Sequence, residues 1–281
     1  MKAKALYKRL DNDFELDHCK DDWSHMNYNE YISENFKKRY MGLLVDNTKE
    51  INSVYTAVFP SDLVLNKILE QKRENVLIVT HHPMIWDIRK PNVFQDINKN
   101  ILMKLKEQKI SIYTMHVPLD KNGGYSTTTN LAKALDIVFE GEFYEYYGVL
   151  VGIYGKTDLK TPEELADKLS SKVGHRTKLW KYGSDEIKDQ KVALIAGGGN
   201  EIDIVQEIIY LGINTYVTGV TVNNEYSQKT HEFEKEKGIN LIGGTHYSTE
   251  KFACIALIKY FEMLGLDCEF IEDRPVLEDM E

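Results

Sequence analysis

The chain has 281 residues, 42 % hydrophobic and 28 % charged, the balance of a globular protein long enough for one large domain or two lobes. Its formal net charge of −9 argues against broad contact with nucleic acid or anionic membranes, so direct nucleic-acid binding is not expected. Three scattered cysteines (Cys19, Cys254, Cys268) make no disulfide framework, the first residues lack a signal peptide's apolar stretch, and no run has the length of a membrane span, so a cytoplasmic protein is expected.

Residues 1 to about 38 form a polar extension whose amphipathic stretches at 5–14 and 31–40 predict two short helices around a loop. Trp23, His18 and His25 within it read as exposed or half-buried packing residues. An α/β pattern begins at Met41. Residues 53–59 have strand composition, and Ser61 can cap a helix running to about Lys72. Residues 76–79 form an apolar run that reads as a buried strand, ended by Pro83 and carrying His81 and His82 at its carboxyl end. A helical face over 97–108 leads to a strand at 110–115. Residues 116–124 read as a loop, with Pro118 arguing against one helical face for His116 and Asp120. A helix is expected over 126–135. The tyrosine- and glutamate-rich stretch 140–147 has no clear period, and a lobe boundary is placed there, giving an N-terminal lobe 1–140 and a C-terminal lobe 141–281.

The second half repeats the grammar. A strand at 149–154 precedes Thr161-Pro-Glu-Glu, a strong helix start with a capping threonine, an early proline and acids against the dipole. Strands are expected at 178–182, 191–196, 214–218, 240–242 and 268–271, and helices at about 201–211, at 225–237 and, starting at His246 or later, up to about 264. The alternation argues an α/β protein with mainly parallel sheets in two lobes.

The chemistry gathers in three segments that follow strands: His81-His82, His116-x-x-x-Asp120 and His246-x-x-x-Glu250. Five potential ligands thus fall where α/β folds build sites. Adjacent strand side chains point to opposite faces, so His81 and His82 serve one ion only if the chain bends, or else serve two. Mixed imidazole and carboxylate donors without a thiolate suit zinc, iron, manganese or nickel, and two such ions would acidify a water and clamp a reacting group.

The order of Thr80-His-His-Pro83, His116-x-x-Leu-Asp120 with Asn130-Leu-Ala, the Gly197-Gly-Gly turn, Thr218-Gly219 and Gly244-x-His246-x-x-Thr-Glu250 resembles the Nif-three-like family, also called the GTP cyclohydrolase I type 2 family, over about residues 41–271. The resemblance implies a two-lobed α/β fold, a toroidal homohexamer and two divalent metal ions in the cleft between lobes. It places His81, His82, Asp120, His246 and Glu250 on ligand positions, and His116 on a histidine that lines the site without necessarily binding metal. Val220 replaces the family's usual acidic residue, and Arg39-Tyr-Met-Gly42 replaces its Asp-Asn-Val-Gly segment. The function expected is a metal-dependent hydrolase acting on a small, nucleotide-like molecule, with Glu250 or His116 as proton shuttle. A non-catalytic metal-binding regulator or assembly protein, and a two-metal phosphoesterase, are the alternatives. Gly197-Gly-Gly reads as a tight turn rather than a phosphate-binding loop, 121–124 as a turn or flap, Asp87 and Arg89 as a surface ion pair rather than substrate contacts, and 225–237 as a solvated helix.

Overall fold

Strands buried along their whole length need cover on both faces, and three here are buried at all five positions. The structure is a computed structural model that describes residues 1–24, 26, 31–90 and 93–281; His25 lies outside the described residues. In chain order the first half comprises α1 (Ala3–Asp13), α2 (Glu34–Arg39), β1 (Gly42–Val45), β2 (Ser53–Ala57), α3 (Asp62–Glu70), β3 (Val76–Thr80), a small hairpin of β4 (Ile85–Trp86) and β5 (Phe94–Gln95), α4 (Lys99–Glu107), β6 (Ile110–Thr114), α5 (His116–Asp120) and α6 (Thr127–Ala134). The second half comprises β7 (Val138–Tyr146), β8 (Val149–Lys156), α7 (Pro162–Val173), β9 (Lys178–Trp180), β10 (Lys191–Leu194), α8 (Ile202–Tyr210), β11 (Thr215–Thr218), α9 (Gln228–Lys237), β12 (Asn240–Gly243), α10 (His246–Met263) and β13 (Asp267–Phe270).

The architecture is mixed α/β with two principal sheets. The first runs β1-β6-β3-β2-β13, parallel except at β1. The second runs β7-β8-β10-β11-β12-β9, with β10, β11 and β12 parallel and antiparallel strands on either side. Period-2 geometry splits β3 between two cores: Val76 and Ile78 face one, Leu77 and Val79 the other. Local chemistry agrees with the tertiary arrangement at the helix starts. The hydroxyls of Ser61, Ser126 and Thr161 each accept a backbone N–H of the first turn, and Thr161 completes a capping box with Glu164.

Helix α10 joins the halves. Leu257 and Phe261 enter the core of the first sheet, the Thr56 hydroxyl donates to the Cys254 carbonyl at 2.8 Å, and the Thr249 hydroxyl accepts the Gly197 amide at 2.9 Å. The chain then returns through β13, which pairs parallel to β2 in the first sheet, so a cut at residue 140 falls within β7 and leaves β13 apart from the sheet it completes.

Three expectations are corrected. Residues 116–120 are a helical turn, because Pro118 stands in the first turn, where an amide has no intrahelical acceptor to lose. Residues 140–146 belong to a strand; β7 is an edge strand left mostly open to solvent, so burial imposes no alternation on its residues. Helix α9 is not wholly solvated, since Thr230, His231 and Glu234 are buried. The hairpin β4–β5 was not foreseen, two-residue strands being too short for a pattern.

Candidate metal centre

Regular strand geometry stops at Thr80, which removes the conflict between the adjacent histidines. The amides of His81 and His82 still donate to the Ala57 and Val58 carbonyls at 3.2 and 2.9 Å, and the two rings come together with centroids 4.2 Å apart. Helix α5 supplies His116 and Asp120, and the N-terminal end of α10 supplies His246 and Glu250, four residues apart on one face. The Thr245 hydroxyl caps α10 by accepting the Ser248 amide, with Thr245 held at φ 68°, a strained conformation next to the cluster. Gly197 passes so close to Glu250 that a Cβ there would collide with its carboxylate, and its φ is +77°. That close passage is what the Gly197-Gly-Gly turn provides.

The six side chains converge. Their donor atoms fall into three groups, each within 4.8 Å: His81, His82 and His116; His82, His246 and Glu250; His81, Asp120 and Glu250. The Glu250 carboxylate lies 3.1 Å from His246 Nε2 through Oε1 and 3.0 Å from His82 Nε2 through Oε2. His81 Nδ1 lies 3.2 Å from the Met115 carbonyl, which can only accept, so that nitrogen carries the hydrogen. In the neutral ring Nε2 is then a bare lone pair, 3.4 Å from Asp120 Oδ1 and 3.5 Å from Glu250 Oε1. Three acceptors facing one another underground are tolerable only around a proton or a cation. Donors at the usual zinc bond lengths around a tetrahedral ion stand about 3.3 Å apart, close to these separations. The residues therefore fit a metal ion.

The electrostatics carry the same message. Burial alone would push the Glu250 carboxyl up, but the imidazoles of His246, His82 and His81 outweigh it and hold the group well below the usual carboxylate range. Burial alone would lower His81, yet Asp120 and Glu250 hold it well above the ordinary imidazole value. His82, with the same burial and two imidazoles as neighbours, goes the other way and stays neutral despite Glu250.

Sequence reasoning missed the walls. Asp21, from the polar extension, places its carboxylate 3.0 Å from His116 Nδ1, and Trp23 is buried edge-on against His116 and His82. Trp23 does pack, but it is buried rather than exposed or half-buried, and the packing is on the candidate site itself. A cavity of about 110 Å³ opens beside the cluster, lined by Trp86, Tyr144, Tyr146 and Ile204 along with His116 and Glu250. No motif pointed to these; aromatic residues around a site carry no fixed spacing.

Other features fall outside the cluster. Asp87 and Arg89 pair with each other through two contacts at 2.7 and 3.0 Å. The 121–124 segment is a turn fastened to β8 by Asn122, whose amide donates to the Leu150 carbonyl and whose side chain donates to that of Gly152. Val220 has its backbone N–H on the Gly197 carbonyl at 3.0 Å and lines a second cavity. Arg39 binds Asp11 and Asp17, tying the extension to the start of β1, and His18 is exposed. Among the described residues no helix is long and apolar enough to cross a membrane.

Comparison with known proteins adds a relationship. The model of the Duf34/NIF3 (NGG1p interacting factor 3) family matches residues 26–275. The "GTP cyclohydrolase 1 type 2 homolog" of Archaeoglobus fulgidus is 27% identical over 255 residues, covering 90% of this chain and 94% of that protein. The protein of the same name in Escherichia coli K12 is 26% identical over 233 residues, covering 82% and 88%. Among solved structures, the protein ybgI superposes with a TM-score of 0.77 at 21% identity, covering 98% of this chain and 100% of that one. TTHA1606 from Thermus thermophilus gives 0.71 at 23% identity, covering 98% and 99%. At these identities the structures speak for the fold.

Proposed function

The chain belongs to the Duf34/NIF3 family, and on that footing we propose that it is a hydrolase whose buried imidazole and carboxylate cluster holds two divalent ions and acts on a small, nucleotide-like molecule. One observation supports this above the rest: the cluster is closed by protein on most sides but faces a cavity walled by aromatic side chains. A purely structural metal site has its positions filled by protein groups, whereas a catalytic one adjoins space for water and substrate.

His81, Asp120 and Glu250 would hold one ion, and His82, His246 and Glu250 the other, with Glu250 shared between the groups. Zinc, iron, manganese and nickel suit this donor set. Bound there, such ions would supply an acidified water and stabilise the charge that develops on the substrate. The remaining work falls to the chain. Trp86, Tyr144 and Tyr146 offer flat faces to a heterocycle, and Trp23 shields the histidines from bulk water. Of the two proton shuttles considered, His116 is the better placed. Both residues line the cavity, but both oxygens of Glu250 are engaged by imidazoles that keep it ionised, whereas His116 Nε2 stands 3.5 Å from Asp120 Oδ2. The relatives' name motivates GTP as the first substrate to test. A homohexamer, proposed from the family resemblance, has support in apolar side chains exposed on β7, β8 and α8: Val138, Phe139, Leu150 and Tyr210. A cytoplasmic location is proposed with it.

The test is elemental analysis of protein purified without added metal or chelator, followed by turnover assays with GTP, other nucleotides and phosphate esters in zinc, manganese, iron and nickel. About two equivalents with hydrolysis supports the reading. Two equivalents with no turnover of any substrate favours a metal-binding regulator, and no metal uptake at all sinks the proposal. Light scattering measures the assembly.

A further inference from the structure

Asp21 lies 95 residues ahead of His116 in the chain, on the segment before α2, yet its carboxylate oxygens stand 3.0 and 3.2 Å from His116 Nδ1. Its side chain is 2% exposed, so the contact is built into the interior. We propose that Asp21 is the positioning residue of His116: it accepts the hydrogen bond from Nδ1–H and turns a bare Nε2 toward Asp120 and the donor cluster.

An ionised carboxylate only accepts hydrogen bonds, so the ring nitrogen facing it is the one that carries hydrogen. In the neutral ring Nε2 is then the free lone pair, 3.5 Å from Asp120 Oδ2. The arrangement repeats that of His81, whose Nδ1 faces the Met115 carbonyl while its Nε2 faces Asp120 at 3.4 Å. Two histidines from different elements thus present the same nitrogen to the same carboxylate, each oriented from behind by its own acceptor. Trp23, two residues beyond Asp21, packs edge-on to the His116 ring at 5.1 Å and limits its rotation. Without Asp21 the ring would gain most by reversing its tautomer and donating Nε2–H to Asp120, withdrawing the lone pair from the site. The proposal rests on the metal-dependent reading for its purpose, since an outward-facing Nε2 lone pair is useful to a cation or to a proton in transit.

The test reads the tautomer directly. In metal-free protein, at a pH where the His116 ring is neutral, nitrogen-15 NMR distinguishes Nδ1–H from Nε2–H. The expected state is Nδ1–H in the native chain. Asp21→Asn keeps the shape but offers an amide N–H, and is expected to shift the ring toward Nε2–H; an Asp-to-Asn change behind a catalytic histidine has that consequence in serine proteases. Asp21→Glu, which keeps an acceptor-only group, should restore Nδ1–H, and Asp22→Asn should leave it alone. Competition with a chelator should show zinc affinity about 10- to 100-fold weaker in Asp21→Asn, because the reversed ring would donate to the proposed ligand Asp120. A ring that keeps Nδ1–H in a folded Asp21→Asn protein overturns the assignment whatever the zinc affinity, as does an equal shift in Asp22→Asn. The tautomer needs neither metal nor turnover, so a chain that binds no metal would sink the hydrolase reading and leave this assignment standing.

Discussion

Two buried glutamates on two helices have opposite fates. Glu250, at the start of α10, is 3% exposed; Glu234, on α9, is fully buried. Three imidazoles surround Glu250 and hold it well below the usual carboxylate range. Glu234 has no protein hydrogen bond to either oxygen among the described residues, and its nearest imidazole, His231, stands 3.5 Å away with Nδ1 already 3.0 Å from the Tyr182 hydroxyl. Burial, with no positive charge to offset it, pushes Glu234 up to about 8. Burial by itself therefore does not make a charged site. Donors do: the same side chain, equally buried, is a carboxylate in one place and a neutral acid in the other.

The widest separation between the two should be in metal binding. Glu250→Ala, His246→Ala and Asp120→Ala are each expected to weaken metal affinity by more than about 100-fold, beyond the range for supporting residues, while Glu234→Ala leaves stoichiometry unchanged. Elemental analysis and chelator competition read this out. Equal stoichiometry in native and Glu250→Ala protein would remove Glu250 from the ligand set.

Stability against pH should separate them next. Glu234 is protonated in the folded chain up to about pH 8, whereas its unfolded form ionises near the ordinary carboxylate value of 4.5. The stability it contributes is fully present below the unfolded value and is lost as pH rises through the folded one. Each tenfold difference in proton affinity between the folded and unfolded chain is worth about 1.4 kcal/mol, so the loss between about pH 4 and pH 9 amounts to several kcal/mol. Glu234→Gln should flatten that part of the profile and raise the melting temperature most at alkaline pH. Unfolding by urea at about pH 5, 7 and 9 measures it, and parallel profiles in the two proteins would refute the raised value.

Smaller effects sharpen the picture around Glu250. Gly197→Ala forces a side chain into a positive-φ position and against the carboxylate, so it should cost about 2–4 kcal/mol and weaken metal binding together. Loss of stability without any change in metal affinity would show that the turn does not govern Glu250. Thr161→Ala removes the capping hydroxyl of α7, away from the cluster, and should cost about 1 kcal/mol with metal content intact. His18→Ala, at an exposed position, should change neither stability beyond about 0.5 kcal/mol nor metal content.

Much of this was legible in the chain itself. Apolar runs and capping residues located most strands and helices, because those signals are local: period, propensity and hydrogen bonds within a turn. Order along the chain also brought out the strand-end histidines and carboxylates, since each motif is contained in a few residues. Local signals failed where the neighbour is distant. The edge strand β7 has no period because most of its residues face solvent, and the tolerance of Pro118 depends on where the helix begins.

The sequence by itself determined the alternating elements, the caps and the types of donor available. Tertiary structure decided which donors meet. It brought Asp21 and Trp23 from the extension onto His116, and it returned the chain through β13 to the first sheet. It also surrounded Glu250 with imidazoles and left Glu234 without a hydrogen-bond donor among the described residues, which no spacing in the sequence records. The physical reason is that ionisation and coordination depend on distances of about 3 to 4 Å in space, and those are fixed only when separate segments pack together.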